Sequence, residues 1–315
     1  MATEVRIGTC SWADEALSKH FYPPGLRSAD RLGYYADRFD TVEVDSTYYH
    51  LPVEQMVERW AERTPDGFVM HVKAFGMMTR HPVKLDQLPT DVREGAPVDE
   101  RGRVGRPPRE LRAEVFARFR AALEPLRAAG KLGGILLQFP PYVVHKPVSL
   151  EYLEWAQEQL PGDELLVEFR HRSWLEEDNR AEVLSFLESR RMSLVIVDAP
   201  RLDSPTVIPT VVALTTPTAY VRMHGRNAET WHRRGRGAAE RFDYLYGEDE
   251  LREWVGPLRE VAEAAEQAYV VFNTNSRSSD GSGGWLAQGA ANAMLLRKVL
   301  VDAGVPVSAP ATAAT

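Results

Sequence analysis

The feature that most constrains this chain is an eightfold alternation. Short apolar runs rich in Val, Ile and Phe recur at 5–11, 41–47, 68–74, 133–139, 165–170, 193–198, 219–224 and 268–273. Most are followed by Gly, Pro or polar residues, so they read as strands. Longer amphipathic stretches between them read as helices over 28–39, 53–64, 109–129, 149–160, 179–191, 249–267 and 285–303. Ser28 stands as the N-cap of the first. In the second, Val53, Met56, Val57 and Trp60 share one face. Pro200, Pro205, Pro209 and Pro217 break up the connection after strand six. This order predicts an α/β fold, a single (β/α)8 TIM-type barrel over 1–304 with a flexible tail at 305–315. An inserted loop region at 75–108, after strand three, is long for such a connection and reads as a mobile lid with Met77, Met78 and His81 nearest the barrel. A doubly wound open sheet is the alternative, but no GxGxxG follows strand one.

The strands themselves alternate apolar and ionisable residues. Glu43 and Asp45 interleave with Val42 and Val44, and His71 and Lys73 with Met70 and Val72. Glu168 and Arg170 interleave with Val167 and Phe169, and Arg222 and His224 with Val221 and Met223. Successive strand side chains point to opposite faces. The outer face of a barrel meets helices and must be apolar, so the ionisable set points inward, near the C-terminal mouth where such barrels act. Gln138, Asp198 and Asn273 end three further strands at the same level.

Composition narrows the partners. The net charge is −7, which argues against general nucleic-acid binding, although a local basic site stays open. Only six of the 38 basic residues are Lys. One Cys, Cys10, cannot form an internal disulfide, which places the chain in a reducing cytoplasm. No apolar run is long enough to span a membrane, and the first residues lack the regions of a signal peptide.

The segments IGTCSW (7–12), FYPPGL (21–26), VEVDSTYY (42–49), HVKA (71–74), LLQFPP (136–141), VEFRHRSW (167–174), YVRMHGRN (220–227) and VVFNTNS (270–276) occur in this order. In this combination the chain resembles the YecE-like family, also called domain of unknown function 72. The resemblance covers about the whole chain and implies a TIM-type barrel with a conserved-looking mouth, but no established activity. Two departures stand out. Asp45 occupies a position where many relatives have Asn, and FNTNS replaces a compact FNN, so Asn273 matches the family pattern more closely than Asn275.

So many charges are not buried inside a barrel without either pairing or a ligand. The bland reading is an internal ion-pair lattice of Glu43, Asp45, Lys73, Glu168, Arg170 and Arg222. The functional reading is acid–base chemistry on a small anionic, phosphorylated or sugar-like substrate. Here Glu168 or Asp45 is the base, Lys73 an acid or orienting cation, and His224 a fourth catalytic candidate. A Schiff base on Lys73 carries less weight, because Glu43 or Glu168 would stabilise its ammonium.

Arg170, Arg222 and Arg226 form the expected anion clamp, with Glu43, Gln138, Asp198, Asn273 and Asn275 as further substrate contacts. His171 is a candidate proton shuttle, and Tyr48 and Trp174 are candidates to stack on a ring. The Arg-rich segment after strand seven, with Arg226, Arg233, Arg234, Arg236 and Arg241, faces a Ser/Gly-rich segment after strand eight, which together suit a phosphate. No cofactor is expected. The rival reading is a divalent-metal hydrolase or isomerase using Glu43, Asp45, Glu168, Asp198 and His224, with His71 in reach. A third is a non-catalytic barrel that binds a metabolite or a nucleic-acid end.

Overall fold

Parallel pairing runs without a break around eight strands in the computed structural model, which describes residues 2–231 and 241–310. The strands are β1 (Val5–Thr9), β2 (Thr41–Val44) and β3 (Val69–Lys73), then β6 (Leu132–Gln138), β7 (Leu165–Glu168), β8 (Ser193–Asp198), β9 (Thr218–Met223) and β10 (Gln267–Phe272). They close in the order β1-β10-β9-β8-β7-β6-β3-β2. Two hairpins lie outside the barrel, β4 (Val83–Lys84) with β5 (Arg103–Val104), and β11 (Arg277–Ser279) with β12 (Trp285–Ala287).

The helices are α1 (Glu15–His20), α2 (Arg31–Ala36), α3 (Glu54–Glu62), α4 (Arg109–Ala122), α5 (Glu124–Ala128), α6 (Pro147–Glu158), α7 (Glu177–Ser189), α8 (Glu248–Arg252), α9 (Val255–Ala264) and α10 (Gln288–Asp302). None is long and apolar enough to cross a membrane among the described residues. The sequence reading missed α1, a short helix whose start is marked by Asp14 accepting from the Leu17 amide at 2.8 Å. Ser28 is not an N-cap: residues Ser28–Asp30 form a 3-10 turn after Arg27, and the helix starts at Arg31. The stretch 109–129 divides at Leu123, ahead of Pro125, which cannot donate to a continuing helix. Residues 285–287 pair in β12 rather than opening α10.

Register sets which side chains enter the barrel. Neighbouring partners in a parallel sheet face the same way. Glu43 pairs with His71, Gln138 with Glu168, and Val197 with Arg222, and these face inward. Met70, Val72, Val167 and Val221 face the helices and are fully or almost fully buried there.

The insertion at 75–108 is anchored at its start: Gly76–Thr79 forms a buried 3-10 turn, with Met77 and Met78 inside the apolar core. The first part of the expected tail is packed as well. The Val5 amide donates to Pro306 O at 2.9 Å, the Ser308 amide to Val5 O at 3.1 Å, and Val305 is buried.

Candidate active site at the barrel mouth

A cavity of about 410 Å³ opens at the C-terminal ends of the strands. Its polar wall comes from Asp45, Lys73, Gln138, Arg170, Asn273 and Asn275, with Arg241 added from the segment after β9. Tyr48, His81, Tyr142 and Phe242 supply the ring-bearing side. Lys73 Nζ lies 3.4 Å from Asp45 Oδ1 and 4.9 Å from the centre of the Tyr48 ring. The Arg170 guanidinium sits 3.3 Å from Glu168 Oε1, flanked by the Trp231 and Phe242 rings at 5.6 and 5.7 Å.

Beneath the cavity lies a fully buried ion cluster. Arg222 donates through Nε and Nη2 to Glu43, through Nη1 to Glu168, and touches Cys10 Sγ at 3.6 Å. Tyr220 donates its hydroxyl to Glu43 at 2.8 Å. One guanidinium cannot offset two carboxylates, and their titrations part accordingly. Burial pushes the Glu43 carboxyl up to about 7, against the pull of Arg222 and with repulsion from Asp45. Burial also opposes ionisation of Glu168, but Arg222, His224 and Arg170 together hold it well below the usual carboxylate range. Burial and the Glu43 charge push the Cys10 thiol up, so it rests as a neutral thiol.

A hydrogen-bond chain links this floor to the cavity. Glu168 Oε1 accepts from Gln138 Nε2 at 2.8 Å and from His224 Nε2 at 3.1 Å. Burial lowers the His224 pKa to about 3 despite the Glu168 charge, so the ring is neutral. A neutral ring with its proton on Nε2 has a bare Nδ1, which accepts from Asn273 Nδ2 at 2.9 Å. That bond orients the Asn273 amide in the cavity, where Asn275 Nδ2 lies 3.5 Å from its Oδ1.

The expected site thus separates into three groups. Asp45, Tyr48, Lys73, Gln138, Arg170, Asn273 and Asn275 line the cavity. Glu43, Glu168, Arg222 and His224 lie below it, with no exposed surface. Glu168 is therefore not a base in contact with ligand, His224 is not a direct acid, and Arg222 is not part of an anion clamp. All three hold other residues in place.

His171, Trp174, Asp198 and Arg226 lie elsewhere. His171 caps the turn Arg172–Trp174 by accepting from the Ser173 amide. Trp174 is buried flat on Phe169, ring centres 4.0 Å apart, and donates to Val143 O. Asp198 pairs in register with outward-facing Met223, so it points out of the barrel, where Arg226 and Tyr246 hold it. Arg226 is further tied to Glu253 at 3.0 Å. Both leave the expected contact set because β8 presents Val197, not Asp198, to the interior.

Arg233, Arg234 and Arg236 lie outside the described residues. The Ser/Gly segment after β10 projects as the β11–β12 hairpin, and of the stretch 273–287 only Asn273 and Asn275 reach the cavity. Among the described residues no three His, Cys, Asp or Glu side chains converge as a ligand set, and Arg222 stands between Glu43 and Glu168. His71 is packed edge-on between Tyr220 and Tyr269, lower in the barrel. The sequence reading missed Tyr142 and Phe242. Tyr142 directly follows the Pro140–Pro141 pair past a strand end, a rigid loop start that could have marked it.

Comparison with known proteins agrees with this architecture. The family described as "Protein of unknown function DUF72" matches residues 6–301. UPF0759 protein YunF of Bacillus subtilis (strain 168) is 30% identical over 276 residues, covering 86% of this chain and 89% of YunF. The crystal structure of a DUF72 family protein from Thermotoga maritima MSB8 is 31% identical, with a TM-score of 0.73 over 95% of this chain and 99% of that one. A DUF72 family protein from Enterococcus faecalis V583 shares the fold at 23% identity and a TM-score of 0.74, covering 94% of this chain and 95% of that one. By its sequence match and its closed eight-stranded barrel, the chain belongs to the DUF72 family.

Proposed function

We propose that the mouth is the active site of an enzyme that performs proton transfer on a small anionic substrate. The observation that carries this reading is the charge of the cavity wall: among the described residues Lys73, Arg170 and Arg241 face it, against the single carboxylate Asp45. Glu168 offsets part of Arg170 but is itself shared with Arg222, so positive potential is left for a ligand anion. Gln138, Asn273 and Asn275 match the hydroxyl or carbonyl groups of a sugar-like body, and Tyr48 and Tyr142 its faces.

In this reading Asp45 is the base. Among the described residues it is the one wall carboxylate, it keeps partial solvent access, and Lys73 beside it stabilises negative charge that develops on the substrate. Glu168 and His224 act through Asn273 and are positioning residues. The lone, buried Cys10 suits a reducing compartment, and we place the activity in the cytoplasm.

The test is incubation with small phosphorylated keto- and aldo-sugars in D2O, followed by proton NMR. Deuterium should enter at a carbon next to the carbonyl with the native protein and not with Asp45→Asn. Calorimetry should show the same phosphorylated sugar binding about tenfold more weakly to Lys73→Met. Exchange that persists in Asp45→Asn removes Asp45 as the base, and unchanged affinity in Lys73→Met removes the anion reading.

A further inference from the structure

Several surface arginines of this chain are tied to carboxylates, as Arg118 is to Asp91 and Glu114, Arg127 to Asp163 and Arg190 to Glu154. Four near the mouth are not. Arg80, Arg106, Arg109 and Arg112 have no carboxylate within ion-pair distance among the described residues. They line two joined clefts, of about 770 and 270 Å³. The larger cleft shares Pro82 and Tyr142 with the mouth cavity, and the smaller shares Arg80, Pro107, Arg112 and Val148 with the larger. One groove therefore runs from the mouth, past Tyr142, to the arginines.

The far end is built on aromatic rings. The Arg80 and Arg112 guanidinium groups lie 5.2 and 5.3 Å from the centre of the Tyr152 ring, and that of Arg109 lies 5.0 Å from Trp155. Tyr152 is locked by donating to Met78 O at 2.7 Å. Arg80 takes a left-handed backbone conformation, φ 66°, which is unusual for a residue with a side chain, and Tyr142 donates its hydroxyl to Arg80 O at 2.7 Å. Helices α4 and α6 both begin beside the clefts, and neither has a side-chain cap, so their first amides add positive potential. Against this, among the described residues only Asp99 and Glu151 bring carboxylates to the clefts, and Asp99 is taken by Arg103.

We propose that the ligand of the mouth is a linear, phosphate-bearing polyanion that runs out past Tyr142 and sets a second anionic group on Arg80, Arg109 and Arg112. This deepens the reading of the mouth as an anion site and rests on it. Fork-shaped guanidinium donors free of carboxylate, beside two helix starts, suit phosphoryl oxygens. Lys73 and Arg170 line the mouth cavity, whereas these arginines line clefts that meet it at Pro82 and Tyr142, so a ligand touching both sets must extend past Tyr142.

The experiment is calorimetry of the full chain at fixed ionic strength with two probes, inorganic orthophosphate and inorganic polyphosphate of about fifteen units. Three proteins are compared: native, Lys73→Met, and the double variant Arg109→Ser/Arg112→Ser. Among the described residues neither arginine has an ion-pair partner to lose, only ring contacts with Trp155 and Tyr152, so the thermal midpoint of the double variant should fall by a few degrees at most. The expected result is polyphosphate binding weakened about tenfold or more in both variants, with orthophosphate weakened only in Lys73→Met. Native polyphosphate affinity in the double variant overturns the second subsite. Polyphosphate that is sensitive to the double variant but not to Lys73→Met makes the clefts a separate anion site and overturns the spanning ligand. Orthophosphate binding that ignores Lys73→Met instead counts against the mouth reading itself.

Discussion

Arg222 donates through Nε and Nη2 to the two oxygens of Glu43, at 2.9 and 2.6 Å, in a part of the barrel with no solvent exposure. The pair is a structural keystone rather than a ligand contact. Arg222→Met would leave Glu43 and Glu168 buried without their shared cation. Breaking a buried pair from one side costs about 3–5 kcal/mol, so the midpoint of thermal unfolding should fall by on the order of 10 °C. A loss of only a degree or two would mean that the two carboxylates take up protons at little cost.

His224 should remain neutral, protonated on Nε2, throughout pH 5–8. Burial lowers its pKa to about 3, and Glu168 and Asn273 on opposite sides of the ring select that tautomer. Nitrogen NMR of the 15N-histidine-labelled protein reads this directly. A titration of the His224 signals near pH 6.5 would refute the arrangement.

Stability should decline as the pH falls below about 6.5. Burial lowers His71, His81 and His224 to about 3, below the ordinary histidine value of 6.5. Between those limits the unfolded chain takes up protons that the folded chain does not. Each histidine therefore contributes stability that is complete above 6.5 and lost towards pH 3, at about 1.4 kcal/mol per pH unit. Glu43, raised to about 7, and Asp14, raised to about 6, act in the opposite sense from those values down to 4.5 and 3.8; where the windows overlap they offset roughly two of the three histidines, and Asp40, also raised by burial, acts in the same direction. Urea unfolding at pH 6.5, 5.5 and 4.5 should show falling free energies, and a flat profile would contradict the buried neutral histidines.

Gly8 on β1 cannot accept a side chain. An added Cβ would stand 2.2 Å from the Thr41 carbonyl oxygen, and backbone cannot yield there without parting β1 from β2. Gly8→Ala should lower stability by about 3 kcal/mol, read as a fall in the urea midpoint. Gly33 in α2 is the control, with its nearest neighbour at 3.8 Å, and Gly33→Ala should gain about 0.5–1 kcal/mol.

The barrel was legible in the chain because a closed parallel sheet imposes one repeated demand, a strand of buried apolar residues before each crossover. Inward alternation likewise located Glu43, Lys73, Gln138, Glu168 and Arg222, since period two holds inside a strand. It failed at Asp198, because β8 is apolar on both faces, Val195 and Val197 on one and Leu194 and Ile196 on the other, and nothing local says which face holds the acid. It also failed past the strand ends, where His171 turns back into its own loop and Trp174 is buried against Phe169 and the Val143 carbonyl. Nor does a residue list reveal depth. Glu168 and Asp45 are both acids at strand ends, and only packing shows that one is sealed beneath Gln138 and His224 while the other meets the cavity.

The docking of residues 305–308 beside β1 brings two distant points of the chain together at the foot of the barrel, where Val5 and Val307 form a parallel bridge. A cylinder of strands has no first or last member, so the order in which the strands are linked is separable from the cylinder itself. A circularly permuted chain, with residue 308 joined to residue 3 by a short linker and new ends cut at the exposed turn 161–162, should close into the same barrel. The mouth lies at the other end of every strand, so the permuted protein should present the Lys73–Asp45 pair unchanged.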